Sequence, residues 1–287
     1  MKFQAPESIE EAVAILTAEP EAKLLAGGTD LLVRLRAGHI APPAIIDLKR
    51  IDDMMTITRL DDGGWRIGAA VPSAEMFEHA ALKADWPGVV EAADLIGSTQ
   101  VQGRATIVGN LCNAGPAADS VPAIVAASAH VEITGPNGTR TAAVEDIPTA
   151  PGKTSLAPGE LVTALLLPPR APHSGSAYLR FIPRTEMDIA VVGCGVVIQL
   201  DEGGTITDAR VSLGAVGPKV MLVPDAAKAL IGTSGDDAAL AALATACTAA
   251  ATPIDDKRGT VEFRKHVSGV LGQRAAKIAM SRAKGEA

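Results

Sequence analysis

A stretch rich in proline, glycine and serine divides this chain into two parts with different patterns. Residues 168–176 read PPRAPHSGS, a composition that interrupts helices and strands. The part before it interleaves short strand and helix patterns, whereas the part after it places two long strand patterns before its helical ones. Strands followed by helices predict an α+β fold. With 287 residues, the chain is long enough for one large or two moderate domains.

The first part begins with a β–α–β pattern. Ser8 and Glu11 form a capping box, and apolar residues at helical spacing continue this helix to Leu16. A helical turn that ends at Gly38 separates the two short strands of the pattern. The elements predicted in this part are strands at 23–26, 45–48, 56–60, 65–69, 130–134, 139–144 and 160–167, and helices at 8–16, 31–36, 73–83 and 87–96.

The second part predicts a sheet that is covered by helices. Strands are predicted at 189–200 and 205–216. In the second of these, Ala209, Val211 and Leu213 alternate with polar or small residues, as in a sheet with one buried face. The helices predicted in this part lie at 225–230, 237–250 and 258–282.

Composition excludes several classes of partner. Aromatic residues make up 2% of the chain, which leaves almost no rings on which bases could stack. The net charge is −7 and no basic run is present, so we expect no nucleic-acid partner and no attraction to an anionic membrane. The sequence has no run of about 18 apolar residues, and its N-terminus lacks the apolar core of a signal peptide. We therefore expect no membrane span.

Cysteine and histidine follow no metal-site pattern. Cys112, Cys194 and Cys247 stand far apart without a CxxC pair, and the histidines share no ligand spacing. No metal site and no iron–sulfur cluster is therefore predicted on this chain. Sparse cysteines fit the reducing cytoplasm, where we expect the protein to reside. No Ser/His/Asp or Cys/His pairing is recognisable, and we predict no catalytic side chain.

The first motif that carries chemistry is LLAGGTDL at residues 24–31. A predicted strand ends in Gly27 and Gly28, followed by the hydroxyl of Thr29 and by Asp30, which can cap the next helical turn. Glycines let the backbone approach a phosphate closely, and the start of a helix adds partial positive charge. The motif predicts an anion cradle without Lys or Arg. Many structural strand–helix turns also contain Gly-Gly, so this motif alone leaves both interpretations open.

The second motif, RATIVGNLCNAGPAADS at residues 104–120, is a long segment of small polar residues in an apolar chain. Loops of this length are usually functional or disordered, and the apolar flanks argue against disorder. Thr106 and Asn110 can bond to phosphates or hydroxyls, and Asp119 can accept from sugar hydroxyls. The alternative is an Ω-like surface loop.

Two nucleotide signatures are missing from the sequence. It contains neither GxxxxGK[ST] nor a GxGxxG that opens a helix, so a P-loop and a Rossmann site are unsupported. A cofactor with a pyrophosphate, held by backbone N–H groups of two separate loops, fits better. Arg180 and Arg184 could face the carbonyl edge of a ring system. Spacing favours the alternative that they pair with Glu186 or Asp188 at the surface.

Four segments occur together in the order and spacing of one family: LLAGGTDLL, TIVGNLCNAGPAADSVPA, YLRFIPRTEMDIAVVG and FRKHVSGVLGQRA. The chain resembles the medium, FAD-binding subunit of the xanthine dehydrogenase and aerobic carbon monoxide dehydrogenase family of molybdenum hydroxylases. The resemblance implies a PCMH-type FAD-binding domain at 1–170, with subdomains at about 1–55 and 56–170. It also implies a smaller C-terminal domain at 176–287, with a three-stranded antiparallel sheet and helices.

The resemblance also implies cofactor contacts residue by residue. The family's first loop wraps the FAD pyrophosphate with backbone amides, a role that falls here on Leu25, Ala26, Gly27, Gly28, Thr29, Asp30 and Leu31. The second loop implies contacts for Thr106, Gly109 and Asn110. Asp119 would contact the adenosine or ribose, Arg180 the isoalloxazine edge, and Val162 would lie near the flavin. Val108 stands where glycine is usual, and valine is costly if that position requires positive φ.

In this family, the subunit passes electrons from two [2Fe-2S] clusters of a small subunit through FAD to an external acceptor. A large subunit would carry the molybdopterin-type molybdenum cofactor, and the resemblance implies a dimer of heterotrimers. Two alternatives stay open. One is a stand-alone PCMH-type flavoprotein oxidoreductase; the other is a scaffold subunit that has lost FAD, to which Val108 gives some weight.

Overall fold

Three main sheets, each with its own hydrophobic core, organise the part of the chain that the structure describes. The structure is a computed structural model and describes residues 1–185 and 187–286. Aliphatic and small side chains fill the cores, and Trp65, Trp86 and Tyr178 are the buried aromatic residues among them. Within the described ranges, no helix is long and apolar enough to cross a membrane. The limits predicted for the domains and subdomains remain predictions.

The first unit is the predicted β–α–β pattern with one more strand at its start. Its elements are β1 (Lys2–Gln4), α1 (Ile9–Ala18), β2 (Lys23–Leu25), α2 (Leu31–Arg36) and β3 (Ala44–Asp47). The strands form a parallel sheet in the order β1-β3-β2. The predicted cap of α1 is confirmed, because Ser8 Oγ accepts from Glu11 N at 3.1 Å. Gly38, with φ of 71°, follows the end of α2 as predicted.

The second unit is a five-stranded antiparallel sheet with helices packed against it, in the strand order β4-β5-β10-β6-β7. Its elements are β4 (Ile57–Arg59), β5 (Trp65–Gly68), α3 (Ser73–Glu78), α4 (Ala80–Asp85), α5 (Pro87–Asp94), α6 (Thr99–Gln102), α7 (Ile107–Cys112), α8 (Val121–Ala126), β6 (His130–Gly135), β7 (Gly138–Ala143), β8 (Pro148–Ala150), β9 (Lys153–Thr154) and β10 (Leu161–Leu167). The helix predicted at 73–83 is divided at His79, whose Nδ1 accepts from Leu82 N at 3.2 Å and so starts a second helix.

The prediction of a loop at 104–120 is wrong in part. Helix α7 occupies six of these 17 residues, and α6 and α8 flank the segment. The decisive local signal is Thr106, whose Oγ1 accepts from Gly109 N at 2.9 Å and caps the start of α7. Gly109 has low helix propensity, and the cap together with packing of the apolar side of α7 against the core overrides it.

The third unit is an antiparallel sheet that is covered by helices, as the second part of the sequence predicts. Its elements are β11 (Ser174–Phe181), β12 (Val192–Leu200), β13 (Ile206–Gly214), β14 (Met221–Leu222), α9 (Pro224–Leu230), α10 (Asp237–Ala250) and α11 (Val261–Ala283). The three long strands form the expected sheet, and the two-residue β14 extends it to four strands in the order β11-β12-β13-β14.

The predicted linker at 168–176 is too long, because β11 already begins at Ser174. The small residues that indicated a linker are small for a packing reason. A Cβ on Gly175 would lie 2.2 Å from Ala279 O, so α11 crosses directly over the backbone of this strand. Ser174 and Ser176 are buried at 6% and 4% exposure. Tertiary packing, and not strand propensity, therefore selects this sequence.

Candidate cofactor-binding site

A cleft of about 570 Å³ lies between the first and second units. This volume is within the usual range of small-molecule sites. Most of the predicted cofactor residues line the cleft, and they come from both loops and from β10: Ala26, Gly27, Gly28, Thr29, Asp30, Leu31, Thr106, Gly109, Asn110 and Val162. The fold thus brings together two motifs that are about 75 residues apart in the sequence, as expected for one site.

The first loop, residues 26–30, approaches the second loop so closely that no side chain fits between them. A Cβ on Gly27 would lie 1.9 Å from Arg104 O, a backbone atom. Gly28 has φ of 79°, in the left-handed region that favours glycine. Each of the two glycines is therefore required for a different physical reason.

In this loop, backbone carbonyl groups accept hydrogen bonds from the protein, whereas backbone N–H groups do not donate to its described residues. Ala26 O accepts from Lys49 Nζ at 3.0 Å, and Gly27 O accepts from Arg104 Nε at 3.4 Å. Gly28 O and Asp30 O accept from α2 amides, each at 3.0 Å. The backbone N–H groups of residues 27–30 donate to no group among the residues that the structure describes. A run of free N–H groups that lines a cleft is suited to an anion.

Asp30 does not cap α2, contrary to prediction. It adopts a helical conformation, with φ of −97° and ψ of −46°, and its side chain makes no capping bond. Although the residue as a whole is exposed, partial burial of its carboxyl raises its pKa, and Arg34 one turn later lowers it in part.

The second loop is the start of helix α7. Thr106 caps this helix through Gly109 N and is 4% exposed. Asn110 faces the cleft one turn later, and its Oδ1 accepts from Ser120 N at 3.1 Å and from Ser120 Oγ at 2.8 Å. Its Nδ2 makes no hydrogen bond to a described residue. A polar donor is therefore held at the cleft wall.

Val108 carries none of the strain that the sequence suggested. It lies in the first turn of α7, outside the set of described residues with positive φ, and it is 4% exposed. A valine inside a helix lowers helix stability by only about 0.5 kcal/mol relative to residues of good helix propensity. Its side chain joins the core of the second unit. The reason that Val108 gave for a lost cofactor therefore disappears.

Two predicted contact residues stand in different relations to the cleft. Val162, on β10, lines it, and the strand has an irregularity in register directly after this residue. Leu25 is 6% exposed and lies beneath the loop, because a Cβ on Gly28 would contact Leu25 Cδ1 at 2.7 Å. Leu25 therefore supports the first loop from below.

Asp119 and Arg180 do not line the cleft; they bond to each other. Arg180 Nη1 donates to Asp119 Oδ2 at 2.8 Å, with side-chain exposures of 6% and 13%. Burial raises the pKa of the Asp119 carboxyl to about 6, and Arg180 offsets only part of this effect. The contacts predicted for Asp119 with the adenosine or ribose and for Arg180 with the isoalloxazine edge remain predictions.

A buried tyrosine adjoins this ion pair. Tyr178 is 3% exposed, and burial raises its pKa well above the usual value, with a further increase from the nearby Asp119 carboxylate. Asp119 Oδ1 and Tyr178 Oη are buried without a hydrogen-bond partner among the described residues. Arg180 lies on β11 and Asp119 lies after α7, so their ion pair links the third unit to that segment of the second unit.

Arg184 forms the surface pair that its spacing predicts. Its Nε donates to Asp188 Oδ2 at 3.0 Å. Glu186, the other predicted partner, lies outside the described residues. Within those residues, no group of three or more His, Cys, Asp or Glu side chains could hold a metal ion.

Several lining residues were missed by the sequence analysis. Cys112 lines the cleft at the end of α7, and burial raises the pKa of its thiol to about 12, so it is a neutral wall. Recognising the Thr106 cap would have placed Cys112 on this helix. Residues 154 and 156–160 form another wall. They carried no local signal, because their position depends on how β10 joins the sheet.

Comparisons with known proteins show the family of this chain. Residues 1–170 match the family described as FAD binding domain in molybdopterin dehydrogenase. Residues 177–279 match the CO dehydrogenase flavoprotein C-terminal domain. The chain belongs to this family of FAD-binding subunits of molybdopterin dehydrogenases. The resemblance and the α+β fold class expected from the sequence are confirmed.

Relatives align over nearly their whole length. The medium chain of carbon monoxide dehydrogenase from Afipia carboxidovorans is 34% identical over 286 residues, which are 98% of this chain and 97% of that one. The xanthine dehydrogenase FAD-binding subunit of Escherichia coli O157:H7 is 30% identical over 280 residues, which are 97% of this chain and 96% of that one. A chain of the carbon monoxide dehydrogenase from Hydrogenophaga pseudoflava superposes with a TM-score of 0.93, 32% identity and 98% coverage of both chains.

Proposed function

We propose that this chain is the FAD-binding electron-transfer subunit of a molybdenum hydroxylase complex, with the pyrophosphate of FAD in the cleft between the two loops. When bound, FAD supplies the capacity to take up electrons from the [2Fe-2S] clusters of a small subunit and to deliver them to an external acceptor. The chain itself supplies position, shape and hydrogen bonds. No side chain is assigned the role of an acid or base.

The observation that carries the proposal is the hydrogen bonding of residues 26–30. Four carbonyl groups of the loop are occupied by protein donors, two of them from the cationic side chains of Lys49 and Arg104. The N–H groups of residues 27–30 remain free and line the cleft. Because successive N–H groups without protein partners form an anion-binding concavity, this arrangement favours a ligand with several acceptor oxygens. A pyrophosphate is such a ligand.

Each cleft residue then has a role that its own surroundings support. The amides of residues 27–30 bind the pyrophosphate, and Thr106 and Asn110 donate to further oxygens of the cofactor. Gly109 leaves room for the capping hydroxyl of Thr106, since a Cβ there would lie 2.7 Å from Thr106 Oγ1. Val162 provides apolar contact. Asp119 and Arg180 act as a pair that positions the third unit.

The proposed partners are a large subunit with the molybdopterin-type cofactor and a small subunit with two [2Fe-2S] clusters, assembled as a dimer of heterotrimers. The names of the relatives, which include medium chains of carbon monoxide dehydrogenases, support a complex with larger and smaller chains. None of Cys112, Cys194 and Cys247 is in a disulfide, which supports a place in the reducing cytoplasm. The alternative of a scaffold subunit without FAD rested mainly on Val108, and Val108 is an unstrained helix residue.

The test is the absorption spectrum of the purified full-length chain before and after acid release of its cofactor. We expect flavin bands near about 370 and 450 nm and release of FAD, not FMN. The FMN comparison matters, because FMN lacks the pyrophosphate bridge for which the loop is built. A colourless chain that also fails to take up added FAD would overturn the proposal.

A further inference from the structure

Ser120 is fully buried, and its hydroxyl has an unusual partner. The residue occupies the N-cap position of α8, where a serine hydroxyl normally accepts from an amide of the first helical turn. Here the side chain makes no capping bond. Instead, Ser120 Oγ donates to Asn110 Oδ1 at 2.8 Å, and Ser120 N donates to the same atom at 3.1 Å. The hydroxyl thus bonds to a residue of the cleft instead of capping its own helix.

The two bonds determine which way the Asn110 amide points. A side-chain amide has one oxygen with two acceptor sites and one nitrogen with two donors. Ser120 occupies both acceptor sites. Rotation of the amide by 180° would place its NH₂ group against the Ser120 N–H donor and leave buried donors unpaired, at a cost of about 1–3 kcal/mol. The oxygen therefore stays with Ser120, and Nδ2 is the atom left for the cleft that Asn110 lines.

Ser120 is itself held from two sides. Its backbone carbonyl accepts from Ile124 N at 3.3 Å in the first turn of α8. The preceding residue, Asp119, bonds to Arg180 of β11 at 2.8 Å. The ion pair with β11 and the first turn of α8 thus fix the backbone at Ser120, whose side chain bonds to Asn110. Ser120 itself does not line the cleft.

We propose that Ser120 is a positioning residue of the cofactor site, which orients the Asn110 amide so that Nδ2 donates to an oxygen of FAD. This inference rests on the proposed function, since it requires FAD in the cleft. Ser120 acts through Asn110 alone. Its removal therefore weakens FAD binding only while Asn110 is present, and a serine that merely stabilised the fold would weaken it in either background.

The experiment is a double-mutant cycle on the full-length chain, with the dissociation constant of FAD measured by quenching of flavin fluorescence. Asn110→Ala removes the donor, and Ser120→Ala removes one of the two bonds that orient it. Asn110→Ala is expected to raise the FAD Kd by roughly fivefold to tenfold, the effect of about one net hydrogen bond. Ser120→Ala is expected to raise it by roughly threefold to fivefold, because Ser120 N still donates to Asn110 Oδ1. The double variant is expected to resemble Asn110→Ala within about twofold, because coupled residues are not additive.

Ser268→Ala is the matched control. Ser268 is also fully buried, and its Oγ donates to Arg264 O at 2.8 Å within α11; neither residue lines the cleft. Its loss should lower the melting temperature and leave the FAD Kd unchanged. An unchanged Kd in Ser120→Ala, or full additivity in the double variant, would overturn the positioning role while the proposed function stands. A wild-type chain that binds no FAD would overturn both.

Discussion

The two loops of the cleft contain similar residues but differ in backbone conformation. The first, residues 26–30, is an open turn with Gly28 at φ of 79° and with free N–H groups. The second is the start of helix α7, with a Thr106 cap and helical backbone at Val108. Glycine is indispensable in the first and mostly a matter of space in the second. The difference teaches that a missing glycine is informative only when the backbone conformation at its position is known.

The largest expected effect comes from breaking the contact between the two loops. Gly27→Ala places a Cβ 1.9 Å from Arg104 O, so the loops must move apart. We expect the variant to lose FAD and to lose roughly 2–3 kcal/mol of unfolding free energy, as in overpacked cores. Flavin content and chemical denaturation measure the two effects.

Gly103→Ala is the control for this change. Gly103 precedes Arg104, has φ of −68°, and a Cβ there meets no atom within 4 Å. The control should keep both flavin and stability close to wild type. If Gly27→Ala also retained full flavin content, the close approach of the loops would not be a condition for binding.

The smallest expected effect on FAD comes from restoring the usual glycine of the second loop. Val108→Gly removes a buried side chain and places glycine inside a helix, so it should cost about 2–3 kcal/mol of unfolding free energy. The FAD Kd should change by less than about threefold, because the backbone at Val108 is already helical. Tighter binding by a larger factor would show that valine does distort this loop. Titration of FAD and thermal unfolding of the same sample give both values.

Local signals were sufficient for much of the fold. Ser8 and Glu11 predicted the start of α1, and Gly38 predicted the end of α2. Both depend on neighbours within a few residues. The strands predicted at 130–134 and 139–144 correspond to the paired strands β6 and β7.

The errors occurred where distant contacts select the residues. Ser174, Gly175 and Ser176 resemble a linker, but they form a strand because α11 crosses directly over Gly175. Helix α7, within the predicted loop at 104–120, was missed because it is placed by packing of its apolar side against the core of the second unit. Neither arrangement can be read from the spacing of residues along the chain.

The site shows the same division. The motifs at 24–31 and 104–120 were recognised, and residues of both line one cleft. The ion pair between Asp119 and Arg180 was not foreseen, because it joins residues 61 positions apart on different units. The role of Ser120 was missed because an N-cap serine usually bonds within its own helix.

The most direct test of the account compares two glycines at the ends of one helix. Gly28 and Gly38 flank α2 with φ of 79° and 71°, so a valine imposes similar backbone strain at both positions. Only Gly28 lines the cleft, and a Cβ on Gly38 meets nothing within 4 Å. The measurement is the flavin content of folded Gly28→Val and Gly38→Val chains. The account predicts that Gly38→Val keeps its FAD and Gly28→Val loses most of it; equal flavin content in the two variants would contradict the backbone cradle.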